Sequence, residues 1–149
     1  MENSIIEYAD FSLSCLNNSN FINANCRCVN FIGTHLIEVN FNNANLSFAD
    51  FNIRNTFVSQ SIDNFPHELD YLPTFLNGSN FKNAILNNAN FIGSNLDNIV
   101  NWKEIKSIKG ANITGIKNAP EGFREWALAN GAIENPPDEE INVEIDDEM

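Results

Sequence analysis

Residues 19–51 read SNFINANCRCVNFIGTHLIEVNFNNANLSFADF, and every fifth residue of this stretch, starting at Phe21, is a large apolar residue or a cysteine. A small or branched residue stands two places before each of them, as Ala49 does before Phe51. A period of five fits neither the 3.6 residues of a helical turn nor the two-residue alternation of a strand. A repeat this short predicts a solenoid that turns a corner in every unit.

The same period runs from Ile6 to Leu96 with one interruption, and its large positions are the predicted core. The positions that we expect to form this core are Phe11, Leu16, Phe21, Cys26, Phe31, Leu36, Phe41, Leu46, Phe51, Phe81, Leu86, Phe91 and Leu96. Each buried side chain of this size contributes roughly 1.5 to 3 kcal/mol, most of which the entropy of ordering the chain cancels. We therefore expect the stack of units, rather than any single turn, to be stable.

Motifs such as Ala9-Asp10-Phe11, Ala44-Asn45-Leu46 and Ala89-Asn90-Phe91 resemble the pentapeptide-repeat family, whose consensus is Ala-Asp/Asn-Leu/Phe-X-X. The resemblance covers roughly the first two thirds of the chain. It implies an all-β solenoid, a right-handed quadrilateral β-helix of about four coils, with one pentapeptide on each side. In that fold the central Leu or Phe and the small residue two places before it point inward. Because Phe alternates with aliphatic residues or Cys along most of the chain, Phe would stack on two opposite sides and Leu on the other two.

Asparagine fills most of the positions directly before the central residue, as at Asn20, Asn40 and Asn90. Its short amide can form a hydrogen bond with nearby backbone at a corner. We therefore expect these asparagines to be structural.

The repeat fails between Ser61 and Leu76, so we predict a β-helix over residues 1–101 with a helical or loop insert at about 62–75. Three apolar residues at helical spacing, with Pro66 in the first turn and Pro73 at the end, indicate a short helix; they are Phe65, Leu69 and Leu72. Apolar residues at outward positions precede it: Phe48, Ile53, Phe57, Val58 and Ile62. A patch of this kind needs a cover. The insert is the simplest cover, and a binding partner is the alternative.

Residues 102–133 form the predicted C-terminal strand and helix cap. Asn101–Ile105 is expected to be a connecting turn or strand, and Gly110–Ile113 one last repeat in a shifted register. A helix from Pro120 to Asn130 is predicted, with Asn118 as its cap and Gly131 as its stop.

The predicted helix has one apolar face, formed by Phe123, Trp126 and Ala127. This face is expected to cover the open end of the β-helix, which must be protected against strand addition. The alternative is a dimer interface, which C-terminal helical modules provide in some members of the family. A monomer or a homodimer through the C-terminal end is therefore expected.

The chain has 149 residues and a net charge of −12. Residues 134–149 contain eight acidic residues and no Lys or Arg, and we predict a disordered solubilising tail, with a docking segment as the less favoured alternative. The three cysteines do not suggest a disulfide framework. The start of the chain lacks the basic segment of a secretory signal, and there is no long apolar run that could span a membrane. We therefore expect a cytoplasmic protein that does not contact membranes.

No catalytic or cofactor-binding motif is recognisable, so neither an enzyme nor a cofactor is expected. Cys26 is a central residue and Cys28 a corner residue, so the pair would point to opposite sides. Cys15 and His35 could stack on one outer face, but two ligands do not make a zinc site. Direct nucleic-acid binding is also disfavoured because the chain is acidic.

The leading hypothesis is a non-catalytic scaffold for protein–protein interaction with an unidentified protein partner, since solenoids offer broad regular faces. The alternative comes from the resemblance, because some pentapeptide-repeat proteins mimic duplex DNA and bind DNA gyrase or topoisomerase IV. Mimicry requires about one negative charge per 1.7 Å. The repeat region has a net charge of only about −3, from Glu7, Asp10, Glu38, Asp50, Asp63 and Asp97 against Arg27, Arg54 and Lys82.

Overall fold

The computed structural model describes residues 1–55 and 71–135, which wind into a four-sided β-helix. Parallel bridges of single residues join one coil to the next, for example Ile5 to Asn25 and Cys15 to His35. Each coil of twenty residues therefore stacks on the preceding one at the spacing of hydrogen-bonded strands, about 4.8 Å.

The bridge residues form four ladders, and each ladder defines one face. The ladders are Ile5, Asn25, Asn45, Ile85 and Ser107 for face 1; Asp10, Asn30, Asp50, Asn90, Asn112 and Ile133 for face 2; Cys15, His35, Phe75, Asn95 and Lys117 for face 3; and Asn20, Asn40, Asn80 and Val100 for face 4. As far as Leu96, the residue after each bridge residue is buried in the core or packs against it. The faces are regular because each five-residue unit ends in a tight turn.

Phenylalanine rings stack along two opposite faces, as the alternation of the sequence predicts. On face 2, the ring centroid of Phe31 is 5.1 Å from that of Phe51, and the ring centroid of Phe51 is 4.8 Å from that of Phe91. On face 4, Phe21 lies 5.2 Å from Phe41. Rings of opposite faces meet edge to face, which is a favoured aromatic geometry. The central positions of faces 1 and 3 hold mainly leucine; they include Leu36, Leu46, Leu76, Leu86 and Leu96.

All but two of the predicted core residues are buried. The exceptions are Phe11 and Leu16, which are only partly buried against the core. Both belong to the first coil, and no described residue stacks on the outer side of that coil. They line the same columns as their buried equivalents and pack against the core, so their partial exposure reflects their place in the first coil.

Hydroxyl groups occupy several of the small inward positions and are buried without loss of hydrogen bonding. The Thr34 hydroxyl donates to the backbone carbonyl of Phe11 at 2.8 Å, and the Thr74 hydroxyl donates to that of Phe31 at 2.9 Å. Ser79 donates in the same way to the carbonyl of Leu36 at 2.6 Å. Each bond reaches the preceding coil, so these side chains tie adjacent coils together and the hydrogen bonds offset the cost of burying the hydroxyl groups.

The chain leaves the β-helix through a short antiparallel pair of strands, β1 (Arg54–Asn55) and β2 (Tyr71–Leu72). Arg54 pairs with Leu72, and the coil resumes at Thr74, whose side chain is fully buried. The excursion therefore starts before the predicted boundary at residue 62 and ends just before residue 75. The predicted helical residues Phe65 and Leu69 lie outside the described residues, as do Phe57, Val58 and Ile62.

The ladders continue beyond the predicted end of the β-helix at residue 101. A 3₁₀ helix, Trp102–Glu104, adds two residues to the coil, because Ile85 pairs with Ser107 whereas Asn80 pairs with Val100. The region that was predicted as connecting turn or strand is thus a 3₁₀ helix. The following repeat contains the buried residues Ala111 and Ile113, in the shifted register that the sequence indicates.

The helix α1 spans Phe123–Ala129 and starts later than predicted. Asn118 has a φ of 55° and Gly122 occupies the N-cap position without a side-chain capping bond. Gly131 ends the helix in a Schellman motif: its φ is 95°, and the amide of Ala132 donates to the Ala127 carbonyl at 3.0 Å. The described residues contain no helix that is long and apolar enough to cross a membrane.

Candidate interaction surfaces

A residue with left-handed backbone conformation closes most corners, two places after the central residue. Ser14 donates its amide to the Phe11 carbonyl across such a corner, and Leu13 has a φ of 58°. A turn with positive φ at this position normally takes Gly or Asn. Most corners follow that rule, at Asn23, Gly33 and Asn43 for example.

One corner column breaks the rule three times. Tyr8, Cys28 and Phe48 stack in successive coils at the corner after face 1, with φ values of 61°, 57° and 60°. We call these three residues the aromatic corner. Tyr8 is 72% exposed and Phe48 is 47% exposed. The guanidinium carbon of Arg27 lies 4.8 Å from the Phe48 ring centroid, so the column also carries a cation held over an aromatic face.

Backbone strain recurs in three successive coils at the aromatic corner, whereas Leu13 and Glu38 have the same conformation singly at other corners. An L-residue other than Asn, Asp or Gly in this conformation costs roughly 1 kcal/mol or more. Nothing in the fold requires large side chains there, because the next residue of the column is Asn88 and the one after is Gly110. Strain retained without a packing role is typical of functional positions.

The asparagines before the central residues are structural, as predicted. The side-chain oxygen of Asn20 accepts the backbone amide of Ile22 at 3.0 Å, and Asn30, Asn40 and Asn90 form the same bond two residues on. A second set of asparagines occupies the left-handed corners and stacks between coils. Asn43 donates its amide to the Asn23 side chain at 3.0 Å. Sequence reasoning missed this second set, although its five-residue spacing is visible in the chain.

Acidic side chains are sparse on the described faces. On face 2, Asp10 and Asp50 are separated by Asn30, so a carboxylate recurs only after two coils, or about 9.6 Å. Duplex DNA carries one charge per about 1.7 Å. Face 4 has amides at three successive bridge positions, Asn20, Asn40 and Asn80. The described coils therefore carry no continuous acidic stripe.

The two aspartates of face 2 differ in environment. The backbone amide of Ser12 donates to Asp10 at 2.9 Å and lowers the pKa of this exposed carboxyl. Burial raises the pKa of Asp50, although the amide of Asn52 donates to it and opposes that shift.

The cysteines do not assemble a metal site in the described residues. Cys15 and His35 are bridge partners on face 3 and are both exposed, as the sequence indicates. The His35 ring packs edge-on against Phe75 at 5.0 Å. Cys26 lies in the core, where burial raises the pKa of its thiol to about 12, so it stays protonated. No group of three potential ligands occurs among the described residues.

At the C-terminal end, α1 packs two of its three predicted apolar residues into the molecule. Phe123 is 3% exposed and Ala127 is fully buried, whereas Trp126 is partly buried at the edge of the core. Trp102 of the 3₁₀ helix completes an aromatic cluster, with ring centroids 5.6 Å from both Phe123 and Trp126. The role of Trp102 was not predicted, because its position in the shifted coil follows only from the three-dimensional register.

Five-residue units that close a four-sided β-helix define the pentapeptide-repeat class. A family model for pentapeptide repeats matches residues 24–52 and 74–100 with eight copies. The repeat region of the chain therefore belongs to the pentapeptide-repeat family. No curated protein sequence matches it significantly.

Solved structures of pentapeptide-repeat proteins are similar to the chain in fold. One is a pentapeptide repeat protein from the thylakoid lumen of Arabidopsis thaliana, with 22% identity and a TM-score of 0.52, covering 87% of this chain and 90% of that one. Another is HetL from the cyanobacterium Nostoc sp. strain PCC 7120, involved in the regulation of heterocyst differentiation. It has 19% identity and a TM-score of 0.51, covering 87% of this chain and 42% of HetL.

A trypsin-treated variant of QnrB1, a plasmid-mediated fluoroquinolone resistance protein, is 11% identical with a TM-score of 0.47. This match covers 90% of this chain and 63% of the QnrB1 chain. At these identities the similarity to the Arabidopsis protein and to HetL concerns the fold alone, a right-handed quadrilateral β-helix.

Proposed function

We propose that the protein is a non-catalytic scaffold that binds a protein partner through the aromatic corner. The observation that carries the proposal is the retention of Tyr8, Cys28 and Phe48 in a strained left-handed conformation, where Asn or Gly would stabilise the fold. Exposed aromatic residues beside an arginine are the residue types enriched at the centres of protein interfaces. Arg27 next to Phe48 favours a partner that presents an apolar side chain with a neighbouring carboxylate.

The test is a double variant that restores the usual corner residue. Tyr8→Asn with Phe48→Asn relieves strain, so the melting temperature should stay equal or rise, while specific partners should be lost in quantitative affinity capture. Leu13→Asn is the matched control, because Leu13 is also exposed and left-handed but lies at another corner. If the double variant and the control retain the same partners as the native chain, the aromatic corner is not the binding surface.

DNA mimicry directed at DNA gyrase or topoisomerase IV ranks second. The charge spacing on face 2 and the amides of face 4 give it little support, because neither face carries carboxylates at the density of duplex phosphates. We expect no inhibition of gyrase supercoiling at low micromolar protein. Potent inhibition that survives deletion of residues 136–149 would reverse the ranking.

The proposal includes two further elements. We infer a cytoplasmic location, because Cys15, Cys26 and Cys28 are all free thiols and such thiols are typical of reducing compartments. We also infer that α1 closes the last coil within one chain. The burial of Phe123 and Ala127 by the chain's own residues supports this role over that of a dimer interface.

A further inference from the structure

The first coil directs unpaired backbone groups away from the rest of the molecule. In the second coil, the backbone N–H and C=O of the bridge residue Asn25 both point toward the first coil. The Asn25 amide donates to the Ser4 carbonyl at 2.8 Å, and the Asn25 carbonyl accepts from the Ile6 amide at 2.9 Å. The equivalent residues of the first coil have no described hydrogen-bond partner for either group; they are Ile5, Asp10, Cys15 and Asn20. Among the described residues, nothing pairs with this edge of the first coil on any of the four faces.

Apolar side chains surround this edge. Met1 is 42% exposed, and the central residues Ile6, Phe11 and Leu16 are only partly buried, whereas their equivalents in the middle of the stack are closed to solvent. Ile5 is 79% exposed on the rim. Tyr8 and Leu13 are exposed on the same coil. An exposed apolar core section with unpaired backbone is a ready template for strand pairing.

We propose that this end binds the same end of a second copy of the chain, in a two-fold symmetric dimer. A two-fold axis across the end turns the parallel strands of one coil antiparallel to those of its partner. A bridge residue that offers both its N–H and its C=O can then exchange two hydrogen bonds with one partner residue, as in an antiparallel pair. The pattern is thus complementary to itself, as an isologous interface requires.

The N-terminal end offers enough residues and hydrogen-bonding groups for a stable dimer interface. One coil supplies twenty residues, and a standard interface uses about 20 to 30 residues from each side. Four bridge residues with two bonds each offer up to eight hydrogen bonds, within the usual range of about 10 ± 5. The square section of a pentapeptide coil also matches only a partner that presents edges at the same four positions.

Charge modulates this contact. The first coil contains Glu2, Glu7 and Asp10 and no Lys or Arg. Two of these carboxylates are engaged within the chain, since Glu7 accepts from the Asn25 side chain at 2.8 Å and Asp10 accepts from the Ser12 amide. Because both donors are neutral, the acidic side chains of two copies repel each other across the interface, and screening by salt should strengthen the dimer.

The experiment combines sedimentation equilibrium with hydrogen exchange on the full chain. We expect a monomer–dimer equilibrium in the micromolar range that tightens with salt. At high protein concentration, the amides of Ile5, Asp10, Cys15 and Asn20 should become protected, and dilution should remove that protection. A chain that stays monomeric up to the highest soluble concentration would overturn the proposal, as would a dimer whose new protection falls on α1.

Two variants locate the interface. Ile5→Glu with Leu13→Glu adds charge to the rim without touching the core and should raise the dimer dissociation constant at least tenfold. Val100→Glu is the matched control, because Val100 is also an exposed bridge residue but lies toward the other end. It should leave the constant unchanged. Equal effects of the two changes, or no effect of the first in a chain with native circular dichroism, would refute an N-terminal interface.

Discussion

The two ends of the β-helix differ in how the edge of the terminal coil is covered. At the C-terminal end, Phe123 and Ala127 are buried against the last coil, and Ile133 pairs with Asn112 to cover the edge of face 2. At the N-terminal end, Phe11 and Leu16 remain partly exposed, and no described residue forms a hydrogen bond with the outward backbone groups of the first coil's bridge residues. A five-residue repeat cannot end itself, because every coil leaves a new edge. Termination therefore requires residues from outside the repeat or a second molecule.

The largest expected effect comes from comparing the middle of the stack with its open end. Phe41 is fully buried between coils and stacks on both Phe21 and Phe81, so Phe41→Ala should lower the free energy of unfolding by about 3 to 5 kcal/mol. Phe11→Ala, the same change in the first coil, should cost less, about 1 to 3 kcal/mol. Urea denaturation measures both. Equal losses would show that the first coil is as well packed as the middle.

At the closed end, Trp126→Asp should expose the last coil. The substitution removes an aromatic side chain that lies 5.6 Å from Trp102 and introduces a charge, so we expect a loss of about 1.5 to 3 kcal/mol. Aggregation or partial unfolding should follow and is measured by light scattering during a thermal melt. If the variant is equally stable and only shifts from dimer to monomer on a sizing column, α1 is an interface instead of a lid.

The Schellman motif at the end of α1 offers a smaller and more local test. Gly131 has a φ of 95°, which is unfavourable for a residue with a Cβ, and its added Cβ would lie 3.4 Å from the Lys109 backbone. Gly131→Ala should therefore cost about 1 to 2 kcal/mol. Gly131→Asn should cost less, because Asn tolerates positive φ better. Indistinguishable melting temperatures for the native chain and Gly131→Ala would contradict this assignment.

The parts of the fold that sequence analysis predicts are those that depend only on the period. The Phe columns and the Asn20-type turn bonds follow from spacing, because each unit repeats the same local environment. The partial exposure of Phe11 and the late start of α1 depend on position in the stack and on Gly122, where no periodic signal exists. The aromatic corner could not be predicted from the sequence either, because residues such as Tyr8 and Phe48 rarely adopt a left-handed backbone conformation.

The smallest expected effect is the change in stability when either of two aspartates on face 2 is replaced. One lies in the middle of the stack and the other at its open end, so the pair compares these two regions. Burial raises the pKa of Asp50 in the middle of the stack, whereas hydrogen bonding from Ser12 lowers that of Asp10 at the open end. A raised carboxyl pKa in the folded state means that ionised Asp50 is unfavourable, so its contribution to stability is highest below the unfolded pKa and is lost as the pH rises through the folded pKa. Asp50→Asn should therefore increase stability at pH 7.

The asparagine at position 50 keeps the acceptor for the Asn52 amide, as its counterparts Asn30 and Asn90 do for the residues two places on. The gain should stay within about 0.5 kcal/mol because Asp50 is partly exposed; it should decrease as the pH falls through the folded pKa and vanish below the unfolded pKa. Asp10→Asn is the matched control. A lowered pKa stabilises the ionised form above the unfolded pKa, so this variant should gain nothing at pH 7 and lose slightly. Thermal melts across the acidic range measure both, and a gain from Asp50→Asn that persists at low pH would show that charge burial is not its cause.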